Sequence, residues 1–322
     1  MKGTRKKANN IDRKRARQQA IQKKEAELKK QIFFDPTYDT VFKKIFEKMQ
    51  TLVHFLNAVL HLEGGKQFVY AEPLKPTINL STPSQKQKIT RFDVHARTKD
   101  GQFIDIEMQR AGHEDLLDRV ELYSALLTIN AKIVMDSETP QEQRVKHPYH
   151  MPDVYSIWIC NFDVKFCETY HEEIALFRCS DLEKSNPLPI YPKKRYIIID
   201  LTKYAPKKNP STESEWIKLF KTMPKAKRTP KGKDGILHDV YERLKISNAT
   251  GKFIRKVATD MVTKEEISTR LWTARREGLA EGEAKGEMKA NKRFAARDKK
   301  IAKFLRANGV SAKLLTAALA IK

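Results

Sequence analysis

Acidic residues occur within a stretch, 89–109, in which polar and apolar side chains alternate with a period of two. This period is typical of half-buried β-strands, and Asp100-Gly101 in the middle is a hairpin signal. A three-residue turn with Gly101 in the left-handed conformation sets Asp93 opposite Glu107. A two-residue turn instead sets Asp93 opposite Met108 and separates the two acids. The register of this hairpin therefore decides whether the stretch can do chemistry.

The first register gives the hairpin two chemically different faces. We expect the outer, solvated face to carry Arg91, Asp93, His95, Arg97, Asp105, Glu107 and Gln109. We expect the core face to carry Phe92, Val94, Ala96, Ile104, Ile106 and Met108. Facing carboxylates repel each other unless a positive group lies between them, and their oxygens are the ligands that Mg2+ prefers. The stretch therefore predicts either a divalent-metal site or an ordinary amphipathic hairpin.

A family resemblance is carried by Asp93, by Ile106-Glu107-Met108-Gln109 after thirteen intervening residues, and by Arg119 and Tyr123 on a predicted helix. Together they resemble the PD-(D/E)XK nuclease-family transposases, the recombination-promoting nuclease group. Segment 34–60 is similar to the opening helix of that family, and segment 274–278 resembles its tail. The resemblance implies a metal-dependent DNA endonuclease with a three-layer α/β core, in which a central mixed sheet is flanked by helices.

The resemblance also implies a metal site. Asp93 and Glu107 would hold Mg2+, with Mn2+ as an alternative, and the backbone carbonyl of Met108 would lie between them. A metal ion in such a site polarises the scissile phosphate and lowers the pKa of a bound water molecule. We therefore expect Asp93, Glu107 and Met108 to be the metal ligands.

One position departs from the wider nuclease pattern. Gln109 stands where a lysine two residues after the acid commonly orients the water, and its amide supplies no positive charge. Lys43 on the first helix is a candidate replacement cation, and Asp39 is a candidate third acid. Residues of these types on a helix are also often just solvated. His95 is a candidate proton carrier or a structural histidine.

The charge distribution indicates a polyanionic partner. The formal net charge is +23, and segments 1–30, 203–233 and 264–322 carry +9, +8 and +8 of it. Basic segments of this kind attract nucleic acid first and acidic membrane surfaces second, although many are only solvated surface. The candidate DNA contacts are Lys86, Lys88, Arg91, Arg119 and Tyr123. Arg119 and Tyr123 stand one helical turn apart, which suits either a substrate contact or an ordinary surface pair.

Hydrophobic periodicity predicts the order of elements. A helix or a pair of helices begins at Asp39, a strand begins at residues 68–70, and a proline-punctuated loop leads to the hairpin. An amphipathic helix over 114–134 would pack across the sheet. The apolar runs 153–162 and 196–201 suit strands that are covered on both faces. This order is typical of a three-layer α/β fold.

The basic segments also suggest the domain boundaries. We expect a basic N-terminal arm over 1–30, a nuclease-like domain over 31–262 with a basic insert at about 203–233, and a basic helical tail over 263–322. In the tail, Gly278, Gly282 and Gly286 indicate either a homodimer contact or a frayed linker. Residues 301–315 outline two short helices, which suit a DNA-docking module or a stabilising helical hairpin.

Composition excludes several other classes of protein. The three cysteines form no metal-ligand spacing, and we expect them to be reduced. No apolar run reaches membrane-spanning length and no secretory signal is visible, so we expect a cytoplasmic or nucleoid-associated protein without a membrane partner. Two functions remain: a DNA endonuclease with little sequence preference, and a nucleic-acid-binding or assembly protein that retains the fold with a degraded site.

Overall fold

The structure is a computed structural model. It describes the backbone of residues 2–75, 77–82, 85–112, 114–181, 183–184, 187–206, 208–231, 234–311 and 314. Side chains are described for the same residues except 2–13, 77–82, 85–91, 264–275 and 277. The chain divides into two compact units, residues 1–262 and 263–322.

Helices and strands alternate through the first unit. The strands are β1 Ala71–Pro73, β2 Thr77–Thr82, β3 Gln85–Arg91, β4 Val94–Thr98, β5 Phe103–Gln109, β6 Val154–Cys160, β7 His171–Leu176 and β8 Tyr191–Asp200. The helices are α1 Lys2–Leu28, α2 Asp39–Ile45, α3 Met49–Val59, α4 Leu116–Glu138, α5 Gln141–Lys146, α6 Thr212–Thr222, α7 Gly235–Arg243 and α8 Gly251–Ala307. Six strands form one mixed sheet in the order β1-β4-β5-β6-β8-β7, while β2 and β3 pair separately.

The two faces of the six-stranded sheet are covered by different helices. Ile157 and Ile159 of β6 join the larger core with residues of α2, α3, α6 and α7, whereas Trp158 packs with residues of α4 on the other face. A strand covered on both faces needs apolar residues at consecutive positions, which β6 and β8 provide. The three-layer α/β fold predicted from the sequence is therefore confirmed.

The central hairpin has the register of the three-residue turn. His95 pairs with Asp105 and Val94 with Ile106 in the antiparallel β4–β5 ladder. Gly101 adopts a φ of 85°, the left-handed conformation that glycine takes without steric cost. The expected register is confirmed, and it brings Asp93 to the level of Glu107.

The first predicted strand of the hairpin is not continuous. β3 ends at Arg91 and pairs with β2, where Arg91 lies opposite Thr77, while β4 begins only at Val94. Arg91 therefore does not share a sheet face with Asp93, and the loop expected before the hairpin contains a strand pair. The alternation of side chains also breaks at the bend, because the Phe92 ring packs against Tyr123 of α4 instead of joining Val94 in the larger core.

The expected solvated face of the hairpin is buried. Every residue of β5 is buried, and Asp105, Glu107 and Gln109 are 0%, 2% and 7% exposed. The reason is topological: β5 pairs with the parallel strand β6 on one side, and α4 packs across both strands. The alternation of polar and apolar residues in β5 predicts a solvated face, but in the structure the polar residues form a layer that α4 covers.

Two segments of the predicted domain scheme have defined local structure. Ile21 and Leu28 of α1 are buried in the larger core, so this part of the basic arm is a packed helix. In the basic segment 203–233, α6 buries Trp216 completely, and its indole N–H donates to His54 Nδ1 at 3.0 Å. Trp216 is thus a packing residue. The boundaries of the arm, the insert and the tail stay predictions.

The second unit consists of the continuation of α8 and a short end. Gly309 follows the helix with a φ of 77°. Around Gly278, Gly282 and Gly286, no atom of another described element lies within 4 Å of the position of an added Cβ. The predicted second short helix falls largely on residues 312–313 and 315–322, outside the described part of the chain. Among the described helices, none is both long and apolar enough to cross a membrane.

Candidate active site

Asp93 lies in the bend that separates β3 from β4, and its carboxylate takes the place of a missing ladder bond. Asp93 Oδ2 accepts the Met108 amide N–H at 3.1 Å, while the Asp93 N–H donates to Glu107 Oε1 at 2.9 Å. Short acidic side chains readily replace backbone partners in this way. Asp93 is therefore hydrogen-bonded both to the Glu107 side chain and to the backbone of β5, which carries Glu107. The Asp93 side chain remains 11% exposed.

Glu107 is the most perturbed of the predicted ligands. Burial raises its pKa to about 8, and the charge of Asp93 adds to the increase. The Gln109 amide nitrogen lies 3.4 Å from Glu107 Oε2. At neutral pH, Glu107 therefore holds a proton in the absence of a cation.

Asp105 belongs to the same cluster, although it was not among the predicted site residues. It is fully buried, and its carboxyl lies beside that of Glu107. Burial raises its pKa well above the usual value, followed by the charges of Glu107 and Asp93. The sequence signal was available, because Asp105 stands two residues before Glu107 and therefore on the same strand face.

The predicted helix residues contact Asp93 from α2. Lys43 Nζ lies 3.1 Å from Asp93 Oδ1 and 3.8 Å from Asp39 Oδ2. Burial raises the pKa of Asp93, the charge of Asp39 raises it further, and Lys43 opposes both effects. Lys43 thus lies beside Asp93, one of the predicted metal ligands, and Asp39 lies beside Lys43.

A second cation approaches the acids from α4. The charge of Arg119 lowers the pKa values of Glu107 and Asp105 against the larger effect of burial. Its guanidinium lies 5.1 Å from the Tyr123 ring centroid and 5.7 Å from that of Trp158. Burial raises the pKa of Tyr123 as well. Arg119 and Tyr123 therefore border the acid cluster, with the guanidinium held against two aromatic faces.

The remaining predicted residues divide into two groups. His95 is 3% exposed, lies between the Phe92 and Phe103 rings, and contacts the Lys75 carbonyl through Nδ1 at 3.1 Å. Burial lowers its pKa, which favours a neutral structural histidine over a proton carrier. The predicted DNA contacts Lys86, Lys88 and Arg91 belong to β3, and their side chains lie outside the described residues.

The donor set fits a divalent metal ion. Asp93 and Glu107 offer hard oxygen ligands, and the fully buried carboxyl of Asp105 adds a third acid that a nearby positive charge would stabilise. The Met108 N–H points to Asp93, and a strand residue directs its carbonyl to the same edge as its N–H. The Met108 carbonyl is therefore available beside the two acids.

The chain was compared with family models, curated proteins and solved structures. The family model described as PD-(D/E)XK nuclease family transposase matches residues 36–266, which include all of the candidate site. Neither the curated proteins nor the solved structures contain a match.

Proposed function

Because this chain belongs to the PD-(D/E)XK nuclease family transposases, we propose that it is a Mg2+-dependent DNA endonuclease. The observation that carries the proposal is that Glu107 accepts the Asp93 amide N–H, that Asp93 accepts the Met108 amide N–H, and that Lys43 lies 3.1 Å from Asp93. Two acids and a cation at one point of a nuclease-family fold are the parts that phosphodiester hydrolysis requires. The proposed metal ligands are Asp93, Glu107 and the Met108 carbonyl, with Mn2+ as an alternative ion.

In this proposal, the side chains around the acids have separate roles. A bound Mg2+ supplies Lewis-acid chemistry, since it polarises the phosphate and lowers the pKa of a water ligand. Lys43 supplies the positive charge that Gln109 lacks, and it keeps Asp93 ionised. Gln109 orients Glu107 or the attacking water through its amide. Asp39 positions Lys43 from the preceding turn of α2.

The proposed substrate is DNA, cut with little sequence preference. The net charge of +23 supplies attraction to any polyanion. Lys86, Lys88 and Arg91 on β3 and Arg119 and Tyr123 on α4 are the proposed backbone contacts. Recombination as the biological role, a homodimer through the C-terminal helix, and a cytoplasmic or nucleoid-associated location stay predictions.

One observation favours a second candidate, a nucleic-acid-binding protein without nuclease activity. Gln109 replaces the usual lysine, and its amide nitrogen lies 3.4 Å from Glu107. If Lys43 cannot replace that lysine, the fold would bind DNA without cutting it.

A plasmid-nicking assay distinguishes the two. We expect purified protein to nick supercoiled plasmid with Mg2+ and not with EDTA, and Asp93→Asn and Glu107→Gln to lower the rate by at least about 100-fold. The control is Glu142→Gln, which changes an exposed acid on α5 and should nick at the wild-type rate. Binding without nicking under all conditions would reject the endonuclease in favour of the second candidate.

A further inference from the structure

Two histidines and a glutamate converge at a place that shares no residue with the acid cluster. His61 follows the end of α3, His171 begins β7, and Glu213 lies in the first turn of α6. His61 Nε2 is 3.1 Å from Glu213 Oε2, and His171 Nδ1 is 2.5 Å from Glu213 Oε1. One ligand atom from each residue lies within 4.8 Å of the other two. Three separate elements therefore present nitrogen and oxygen donors to one point.

The carboxylate at the centre is buried. Glu213 is 3% exposed, and the Tyr170 hydroxyl also donates to its Oε2 at 3.2 Å. A buried anion with two imidazoles on it is a preformed site for positive charge.

The two imidazoles are arranged side by side. Their ring centroids lie 4.8 Å apart with an angle of 23° between the planes. His61 adopts a φ of 51° and is the one non-glycine residue with a positive φ in the described part of the chain. This position follows the C-terminal end of α3, where glycine or asparagine is usual. The histidine at this position turns its ring toward Glu213 and His171.

From this geometry we infer that His61, His171 and Glu213 bind a divalent transition-metal ion of the zinc class. Imidazole nitrogen and carboxylate oxygen are both zinc ligands, at about 2.0–2.2 Å, whereas Mg2+ prefers oxygen ligands alone. His61 and Glu213 also line a groove of about 930 Å³, so water completes the coordination from that side. The ion fastens α3, β7 and α6 to one another and stabilises the first unit.

The test uses full-length protein carrying Asp93→Asn and Glu107→Gln, so that the acid cluster does not contribute a metal site. Chelator treatment and dialysis first remove bound metal, and Zn2+ or Co2+ is then added back. We expect one tightly bound Zn2+ per chain, a higher melting temperature with Zn2+, and a visible ligand-field absorption band with Co2+. Adding His61→Asn should weaken Zn2+ binding by at least about tenfold and abolish the Co2+ band. Asparagine tolerates the left-handed backbone, and His61 is largely exposed, so this variant keeps the fold.

The matched control is His150→Ala, which removes an exposed histidine elsewhere in the first unit and should leave Zn2+ binding unchanged. Glu213→Gln should weaken binding at least as much as His61→Asn. The inference is overturned if His61→Asn binds Zn2+ with wild-type affinity, or if Zn2+ neither binds at one per chain nor raises the melting temperature. Nicking by the chain with intact Asp93 and Glu107 has no bearing on this result, so the two sites are tested independently.

Discussion

Protons should compete with Mg2+ at the acid cluster, because Glu107 binds a proton with a pKa of about 8 in the metal-free protein. A metal ligand must be deprotonated, so the apparent Mg2+ affinity scales with the ionised fraction of Glu107. That fraction rises from about 1% at pH 6 to about 90% at pH 9. We therefore expect the affinity to rise by roughly two orders of magnitude over this interval.

Titration calorimetry without DNA measures this effect directly. Mg2+ is titrated at pH 6, 7, 8 and 9 at constant ionic strength, in pairs of buffers that differ in ionisation enthalpy. The buffer dependence gives the number of protons released, which we expect to be about 0.9 per Mg2+ at pH 7 and about 0.1 at pH 9. Burial lowers the pKa of His95 below its usual value, which reduces the contribution of His95 to this titration.

Glu107→Gln is the matched variant for this measurement. It keeps the shape of the side chain, so its weaker Mg2+ affinity should vary little with pH. A flat profile in the wild type would refute the reasoning, because Glu107 would then not hold a proton that the metal must displace. A steep profile that persists in Glu107→Gln would assign the proton to another group, with Asp105 the nearest buried acid.

The same carboxyl links folding stability to pH in EDTA. The folded-state pKa of Glu107 is above its unfolded value, so its contribution is greatest below about pH 4.5 and is lost as pH rises toward 8. The loss is about 1.4 kcal/mol per pH unit between these limits. Urea unfolding of metal-free wild type should therefore weaken between pH 5 and 8 more than that of Glu107→Gln. Parallel curves would contradict a protonated Glu107.

Three further outcomes follow from other parts of the structure. Lys43→Ala should lower the nicking rate by at least about tenfold, because Asp93 loses the cation that lies 3.1 Å away. Lys43→Arg should recover part of the rate. An unchanged rate in Lys43→Ala would remove Lys43 from the proposed mechanism. Trp216→Ala should destabilise the fold by about 3–5 kcal/mol in urea unfolding, since the side chain is fully buried, and a loss below 1 kcal/mol would show that the core relaxes around it. Deleting residues 1–17 removes eight basic residues and keeps Ile21 and Leu28, which lie in the core. DNA binding should then depend less on salt concentration. An unchanged slope of log affinity against log salt concentration would show that this segment does not contact DNA.

Local patterns predicted those parts of the fold that depend on neighbouring residues. The turn chemistry at Asp100-Gly101 predicted the hairpin of β4 and β5 but left two registers open, and the structure has the one in which Gly101 adopts the left-handed conformation. The continuous apolar runs in β6 and β8 predicted strands covered on both faces. The same reasoning identified Asp93, Glu107 and Gln109, which the structure brings together.

The failures came where distant parts of the chain decide the outcome. Nothing in the alternation of β5 distinguishes a wet face from one covered by α4, so the burial of Asp105 was missed. The strand break at Asp93 depends on its side chain replacing a ladder bond to Met108, which the period of two does not reveal. The cluster around Glu213 joins residues up to 152 positions apart, and no spacing rule connects them.

Charge balance explains why the acid cluster is suited to a cation. Asp39, Asp93, Asp105 and Glu107 carry four negative charges when ionised, and Lys43 and Arg119 supply two positive ones. A lysine at position 109 would leave one negative charge on the cluster, whereas Gln109 leaves two. Burial raises the pKa values of Asp105 and Glu107, and it also strengthens the attraction of the ionised carboxylates to a divalent ion. Because Gln109 stands where the wider family has a lysine, the site keeps a larger net negative charge, which a divalent ion is suited to neutralise.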